Sequence, residues 1–221
     1  MISRVVVSKE VADSIYHLQF RDEYLMCSSL LRFQEHYECP KFKGKIFTLE
    51  QYMDYYANTF GNFTYFQDIG GFNIPSYALK KFYEGKFDPL TEKEKNILKI
   101  FADVTEPFYI IATTKKSATY ENDFIHEMAH GLFYVDDEYK KAVRRILRGQ
   151  DLSSIYHYLK DKYYHRAHFF DEAQALLLED AESFSRTGAK ASDFAGVRRQ
   201  LKKAFNEHFK PKRSKSERFK V

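Results

Sequence analysis

Two neighbouring stretches, Pro107-Phe108-Tyr109-Ile110-Ile111-Ala112-Thr113 and Asn122-Asp123-Phe124-Ile125-His126-Glu127-Met128-Ala129-His130-Gly131-Leu132-Phe133, decide how the chain is read. The first is aromatic and β-branched and predicts a strand. The second places apolar residues at helical spacing, and Asn122 or Asp123 can cap its start by accepting hydrogen bonds from free backbone N–H groups. Residues four apart share one face of a helix, so His126 and His130 can present two imidazoles to one ion. Glu127 sits next to the first of them. Two histidines and a glutamate on so apolar a helix are hard to explain as solvated surface. The plain alternative is a pair of core histidines satisfied by ordinary hydrogen bonds.

The pentapeptide His126 to His130 reads H-E-x-x-H. With a strand and a short polar loop ahead of it, it resembles the zincin superfamily of zinc metallopeptidases. The resemblance implies an α+β fold, mostly helical, with a small sheet whose strand precedes the active-site helix. It implies Zn2+ on His126 and His130, a peptide or protein substrate, and Glu127 as the general base that takes a proton from water. In such peptidases the strand is usually the sheet edge beside the cleft, where a substrate backbone can pair. Here that role falls to Phe108 through Thr113, unless this is an ordinary interior strand.

A catalytic zinc normally takes three protein ligands and a water, so a third ligand must lie elsewhere. The metzincin branch needs a glycine and a third histidine after the motif, and Phe133 and Asp136 hold those positions. The gluzincin branch uses a glutamate from a later helix. Asp171-Glu172-Ala173-Gln174-Ala175 resembles third-ligand helices of gluzincin-type families, which makes Glu172 the favoured ligand, with Glu179, His165 and His168 as alternatives. The thermolysin-like pattern has an aspartate four residues after the ligand, where this chain has Leu176. The carboxylate that orients a histidine must then come from Asp171, Asp180 or Glu121. Candidates to stabilise the oxyanion of the attacked carbonyl are Tyr164, His165, Arg166, His168, Tyr134 and Tyr139.

The 221 residues suffice for one domain with a sizeable core, and no apolar run approaches the roughly 20 residues of a membrane span. The N-terminus lacks a signal peptide's apolar stretch, and Cys27 and Cys39 have no metal-ligand spacing, so a cytoplasmic protein with free thiols is expected. Residues 1–208 are expected to form one domain. Residues 1–104 would supply a cleft wall, and residues 105–208 the metal site.

The segment 209–221 holds six cations against Glu217, a local surplus larger than the +4 of the whole chain. It reads as a solvated basic tail, and a nucleic-acid-associated protein docking through it is one rival function. A non-catalytic zinc-stabilised peptide-binding protein is another. Helices are expected near 22–35, 49–59, 77–85, 92–103, 122–135, 137–149, 153–163, 171–185 and 192–208. Thr48 and Thr91 open capping boxes, and Ser76 is placed to cap the helix at Tyr77. Strands are expected at Val5–Val7, Lys45–Phe47 and Asn62–Phe66, with Gly70-Gly71 as a turn.

Overall fold

The computed structural model describes residues 5–114, 120–213 and 215–220. The chain runs β1 (Val5–Ala12), β2 (Ile15–Phe20), α1 (Glu23–Glu38), α2 (Leu49–Phe60), α3 (Tyr65–Asp68), β3 (Gly71–Pro75), a 3-10 turn (Ser76–Leu79), α4 (Lys80–Tyr83) and α5 (Glu92–Phe101). It continues through β4 (Tyr109–Thr114), α6 (Tyr120–Val135), α7 (Asp137–Leu147), α8 (Ser153–Asp161), a 3-10 turn (Arg166–His168), α9 (Phe169–Leu178), α10 (Ala181–Ser185), α11 (Ala195–His208) and β5 (Glu217–Lys220). The fold is α+β, with one mixed sheet in the order β3-β4-β2-β1-β5. β2 and β4 are parallel, and the other pairs are antiparallel.

β4 is buried at every position, because both faces of the sheet are covered. Side chains alternate between the faces of a strand. Ile110 and Ala112 join one core with α1, α2 and α5, while Tyr109 and Ile111 join a second core with α6, α8, α9 and α11. The sheet is thus the partition between two apolar cores. α6 lies tight against it: a Cβ on Gly131 would come 3.0 Å from Cδ1 of Ile15.

Both capping boxes form. The Thr48 hydroxyl accepts from the N–H of Gln51 and that of Thr91 from the N–H of Glu94, and each partner side chain accepts in return. A buried Arg32–Glu94 pair, 2.6 Å apart, then ties α5 to α1.

Several expectations are corrected. Residues 62–66 are not a strand. Asp68 accepts hydrogen bonds from the hydroxyls of Tyr56 and Thr64, and Tyr65 turns inward to donate to Glu35, so the segment coils into α3. Residues 45–47 form no strand either; Phe47 packs on Phe42, Tyr52 and Phe87 instead. Gly70-Gly71 is not a simple turn, because Gly71 begins β3. Ser76 opens a 3-10 turn without capping it, and its Oγ accepts from the N–H of Phe108 at 3.3 Å.

The expected helix 171–185 is two helices, broken at Glu179. α6 begins at Tyr120, so Asn122 and Asp123 lie inside it, and its capping residue falls outside the described residues. The basic tail adds β5 to the sheet, and Lys212 Nζ lies 2.9 Å from Glu10 and 2.7 Å from Asp13. Among the described residues, no helix is long and apolar enough to cross a membrane.

Candidate metal centre

α6 carries His126 and His130 on the side that meets α9 and Glu127 beside the start of β3, and α9 brings Asp171 and Glu172 in its first turn. The Nε2 atoms of His126 and His130 are 3.2 Å apart. Glu172 sets Oε1 3.5 Å from Nε2 of His130 and Oε2 3.8 Å from Nε2 of His126. A tetrahedral ion with bonds near 2.0–2.1 Å needs its ligand atoms about 3.3 Å apart. One imidazole nitrogen from each histidine and one carboxylate oxygen therefore have the spacing to hold a single small divalent cation.

The other face of each ring meets a second carboxylate. Asp171 Oδ2 lies 3.1 Å from Nδ1 of His130, and Glu179 Oε1 lies 2.7 Å from Nδ1 of His126. Both contacts lie off the line of a ring N–H, so they act through charge more than as linear hydrogen bonds. Carboxylates on Nδ1 favour a proton there and leave the Nε2 lone pairs for a cation.

Glu179 reaches His126 because the chain breaks helix at that residue. Its carboxylate is clamped by Arg186, with Nη1 2.5 Å from Oε2 and Nη2 2.6 Å from Oε1. Arg198 donates to the Glu179 carbonyl and stacks on Phe184. Two carboxylates thus orient the rings while a third, Glu172, faces the cation position.

Glu127 is buried, and its Oε2 has no hydrogen-bond partner among the described residues. An unsatisfied buried carboxylate oxygen is costly and calls for an explanation, and a water or ion at this position would satisfy it. Burial pushes the Glu127 carboxyl up to about 7, helped by Glu172 and Asp123 and opposed by the two histidines. Burial also raises Glu172. Burial works against a charged ring at His126 and His130, but Glu179 beside the first and Asp171 and Glu172 beside the second hold both above the ordinary histidine value. Cation binding at such a site is coupled to proton release.

The remaining candidates separate clearly. His168 meets Tyr37 edge to face and Lys43 Nζ at 2.5 Å, and His165 accepts from the N–H of Ala167 through Nδ1. Neither joins the cluster formed by His126, His130 and Glu172. Asp180 caps α10, and it is Glu179 and Asp171, not Asp180 or Glu121, that meet the two rings among the described residues. Tyr139 is fully buried and donates to Gln174, away from the cation position. Arg166 is exposed, and Tyr134 packs its ring against Tyr77 and Tyr109.

Several tyrosines feel the charges of the site: Tyr37 those of Asp171 and Glu172, Tyr109 those of Asp171 and Glu127, and Tyr164 that of Glu172. The charge of Glu172 and then burial raise the Tyr164 hydroxyl well above the ordinary range. The preceding Tyr163 adopts a left-handed φ of 61°, an uncommon conformation for a non-glycine residue, at the turn that delivers Tyr164.

One alternative is borne out, the ordinary interior strand, and two features were not anticipated. β4 lies between β3 and β2, so Phe108 to Thr113 do not form the edge; β3 does. Gly71 at the start of β3 abuts the site, and a Cβ there would lie 2.5 Å from Oε1 of Glu127. Glu38, at the end of α1, has its carboxyl raised well above the ordinary range, by burial first and then by the charge of Glu172, against His130. The alternation of Phe72 and Ile74 after the glycine pair was the available signal for β3. Nothing local in the sequence marked Glu38.

Comparison with protein-family models, with curated proteins and with solved structures finds no match for this chain.

Proposed function

We propose that this protein is a zinc-dependent peptidase whose ligands are His126, His130 and Glu172 and whose general base is Glu127. The observation that carries the reading is the set of three ligand atoms at tetrahedral spacing, with Glu127 adjacent on the same helix. When bound, zinc supplies a Lewis acid that polarises a carbonyl and brings water toward ionisation near neutral pH. Glu127 takes a proton from the attacking water and hands it to the leaving nitrogen. Tyr164, whose hydroxyl feels the charge of Glu172, is the candidate donor to negative charge on the attacked carbonyl oxygen. Asp171 and Glu179 hold the imidazoles in the tautomer that ligation requires.

The edge strand supports a peptide as the substrate. Asn73 N–H points away from β4, since it donates to a side chain of α1, and backbone groups alternate along a strand. Gly71 therefore turns its N–H and C=O outward as well, beside Glu127, where an extended backbone can pair.

Elemental analysis tests the metal and a peptide-library digest tests the reaction. About one zinc per chain is expected in the wild type, retained in Glu127→Gln and lost in Glu172→Ala. Turnover in Glu127→Gln is expected to fall by about 10²–10⁴-fold. A wild-type protein that takes up no zinc from a zinc-containing buffer, or a Glu127→Gln variant as active as wild type, would sink the reading.

A further inference from the structure

Residues of α6, α9, α10 and α11 line an open cavity of about 1450 Å³. Glu179 belongs to its wall, and the same carboxylate meets Nδ1 of His126 at 2.7 Å. One side chain therefore stands between this cavity and the candidate metal centre.

The α11 wall is cationic. Arg198, Arg199, Lys202 and Lys203 all line the cavity, and their spacing of three and four residues keeps them on neighbouring parts of one helix face. The side chains of Arg199 and Lys202 have no partner among the described residues, and Lys203 reaches Glu207 only at 3.9 Å. Arg198 is half-buried. Its Nη2 donates to the Glu179 carbonyl at 2.5 Å and its guanidinium lies over Phe184, but Nη1 is buried with no partner among the described residues.

Four acids share the wall, and two of them are engaged. Glu179 is held by Arg186 and His126, and Asp180 accepts from the N–H of Ser183 as the cap of α10. Exposed Glu121 and Glu182 are left against the four cations of α11. That surplus, and the orphaned guanidinium nitrogen, call for an anion. A doubly charged group with three acceptor oxygens suits two guanidinium forks and two ammonium groups better than one carboxylate does.

We propose that this cavity binds a phosphate group, free or carried as the monoester of a small molecule, and that its occupation draws Arg186 and Arg198 off Glu179 and so weakens the hold on a cation at His126. The phosphate site stands apart from the peptidase reading; the coupling rests on the metal in that reading. Linkage makes the coupling reciprocal, so a bound cation weakens the phosphate by the same factor.

Calorimetric titration of the full chain with glucose 6-phosphate, inorganic phosphate, glucuronate and glucose tests the site. Glucose 6-phosphate is expected to bind once per chain, about tenfold or more tightly than glucuronate and less tightly as salt is raised, with glucose silent. Inorganic phosphate matching it would make the free ion sufficient, and a weaker response would assign the ester; either supports the site. Arg199→Ala with Lys202→Ala should lower the affinity about tenfold with circular dichroism unchanged, whereas Arg144→Ala with Arg145→Ala, exposed cations of α7, should not. In competition with a chromophoric chelator, saturating glucose 6-phosphate should weaken zinc binding about fivefold or more in wild type and not in the Arg199/Lys202 variant.

Glucuronate binding as tightly as the phosphate, or equal losses in the two double variants, would overturn the site. So would tighter binding of an oligomeric single-stranded DNA that both variants weaken alike, since the cations would then form a diffuse nucleic-acid surface. Zinc affinity indifferent to bound phosphate would overturn the coupling. A chain that binds the phosphate in an Arg199- and Lys202-dependent way but takes up no zinc would keep the site and defeat the metal reading.

Discussion

Gly71 is the residue whose side chain, a single hydrogen, is set by the site. An added Cβ would lie 2.5 Å from Oε1 and 3.0 Å from Cγ of Glu127, so one of the two must move. The atoms in the way belong to the end of a flexible side chain, so the fold should absorb Gly71→Ala at a cost of about 1 kcal/mol or less. Glu127, the proposed general base, would not keep its place. Small displacements of a reacting group cost on the order of 100-fold in rate. Gly71→Ala is therefore expected to bind zinc and melt like wild type while losing about that factor in kcat. Normal turnover in that variant would mean that Glu127 does not work from this position.

At the scale of elements, the break between α9 and α10 does what a continuous helix could not. A helix running from 171 to 185 keeps Glu179 in ladder register, whereas the interruption frees its carboxylate to reach His126 while Arg186 grips it from α10. Arg186→Met is expected to loosen this clamp and lower zinc affinity by about 10–100-fold without abolishing it, since partners of the ligands typically contribute that much. Competition against a chromophoric chelator would measure it. An unchanged affinity would reduce the Arg186–Glu179 pair to a surface tie.

This break also marks how far the sequence could be read. The α6 site was legible because its spacing is local: four residues fix one helix face, and the apolar neighbours fix its burial. Glu172 was singled out by the resemblance of its helix start, and its carboxylate does lie within 4 Å of both rings. Glu179 was weighed as a ligand and stands instead behind His126, because only the three-dimensional break decides which face of the ring it meets. The edge strand was misplaced for a related reason. β4 is apolar on both faces, as an interior strand should be, while the short β3 hides behind two glycines and a proline. The pairing of β5 with β1 joins opposite ends of the chain, a contact that no sequence window contains.

Over the whole molecule, two buried groups in different cores pull the pH dependence of stability in opposite directions. His17 donates to or accepts from Thr113 Oγ1 at 2.8 Å, and burial, then Lys9, lowers its pKa from 6.5 to about 4. Its neutral form suits the fold, so its contribution is full above pH 6.5 and is lost as pH falls toward 4, by up to about 3 kcal/mol. Glu35 is raised from 4.5 to about 7 by burial, against the hydroxyls of Tyr65 and Tyr52. Its contribution is full below pH 4.5 and declines as pH rises toward 7, by a similar amount. Between pH 4.5 and 6.5 the two slopes largely offset each other. Relative to wild type, His17→Gln should therefore become less stable as pH rises through this window, and Glu35→Gln more stable. Urea unfolding at pH 4.5, 5.5 and 6.5 would show it, and parallel profiles for all three proteins would refute both assignments.

The sheet that separates the two cores has a consequence for cooperativity. His126, His130 and Glu172 stand on α6 and α9, which share one core, whereas β3 and the helix that bears Glu38 pack into the other. A cation held there would therefore bear directly on one of the two cores, and a peptide lying along β3, if the proposed function holds, would bear on the other as well. Amide hydrogen exchange should report this as two successive steps: zinc slows exchange in α6 and α9, and α1 and β3 gain protection only when peptide follows.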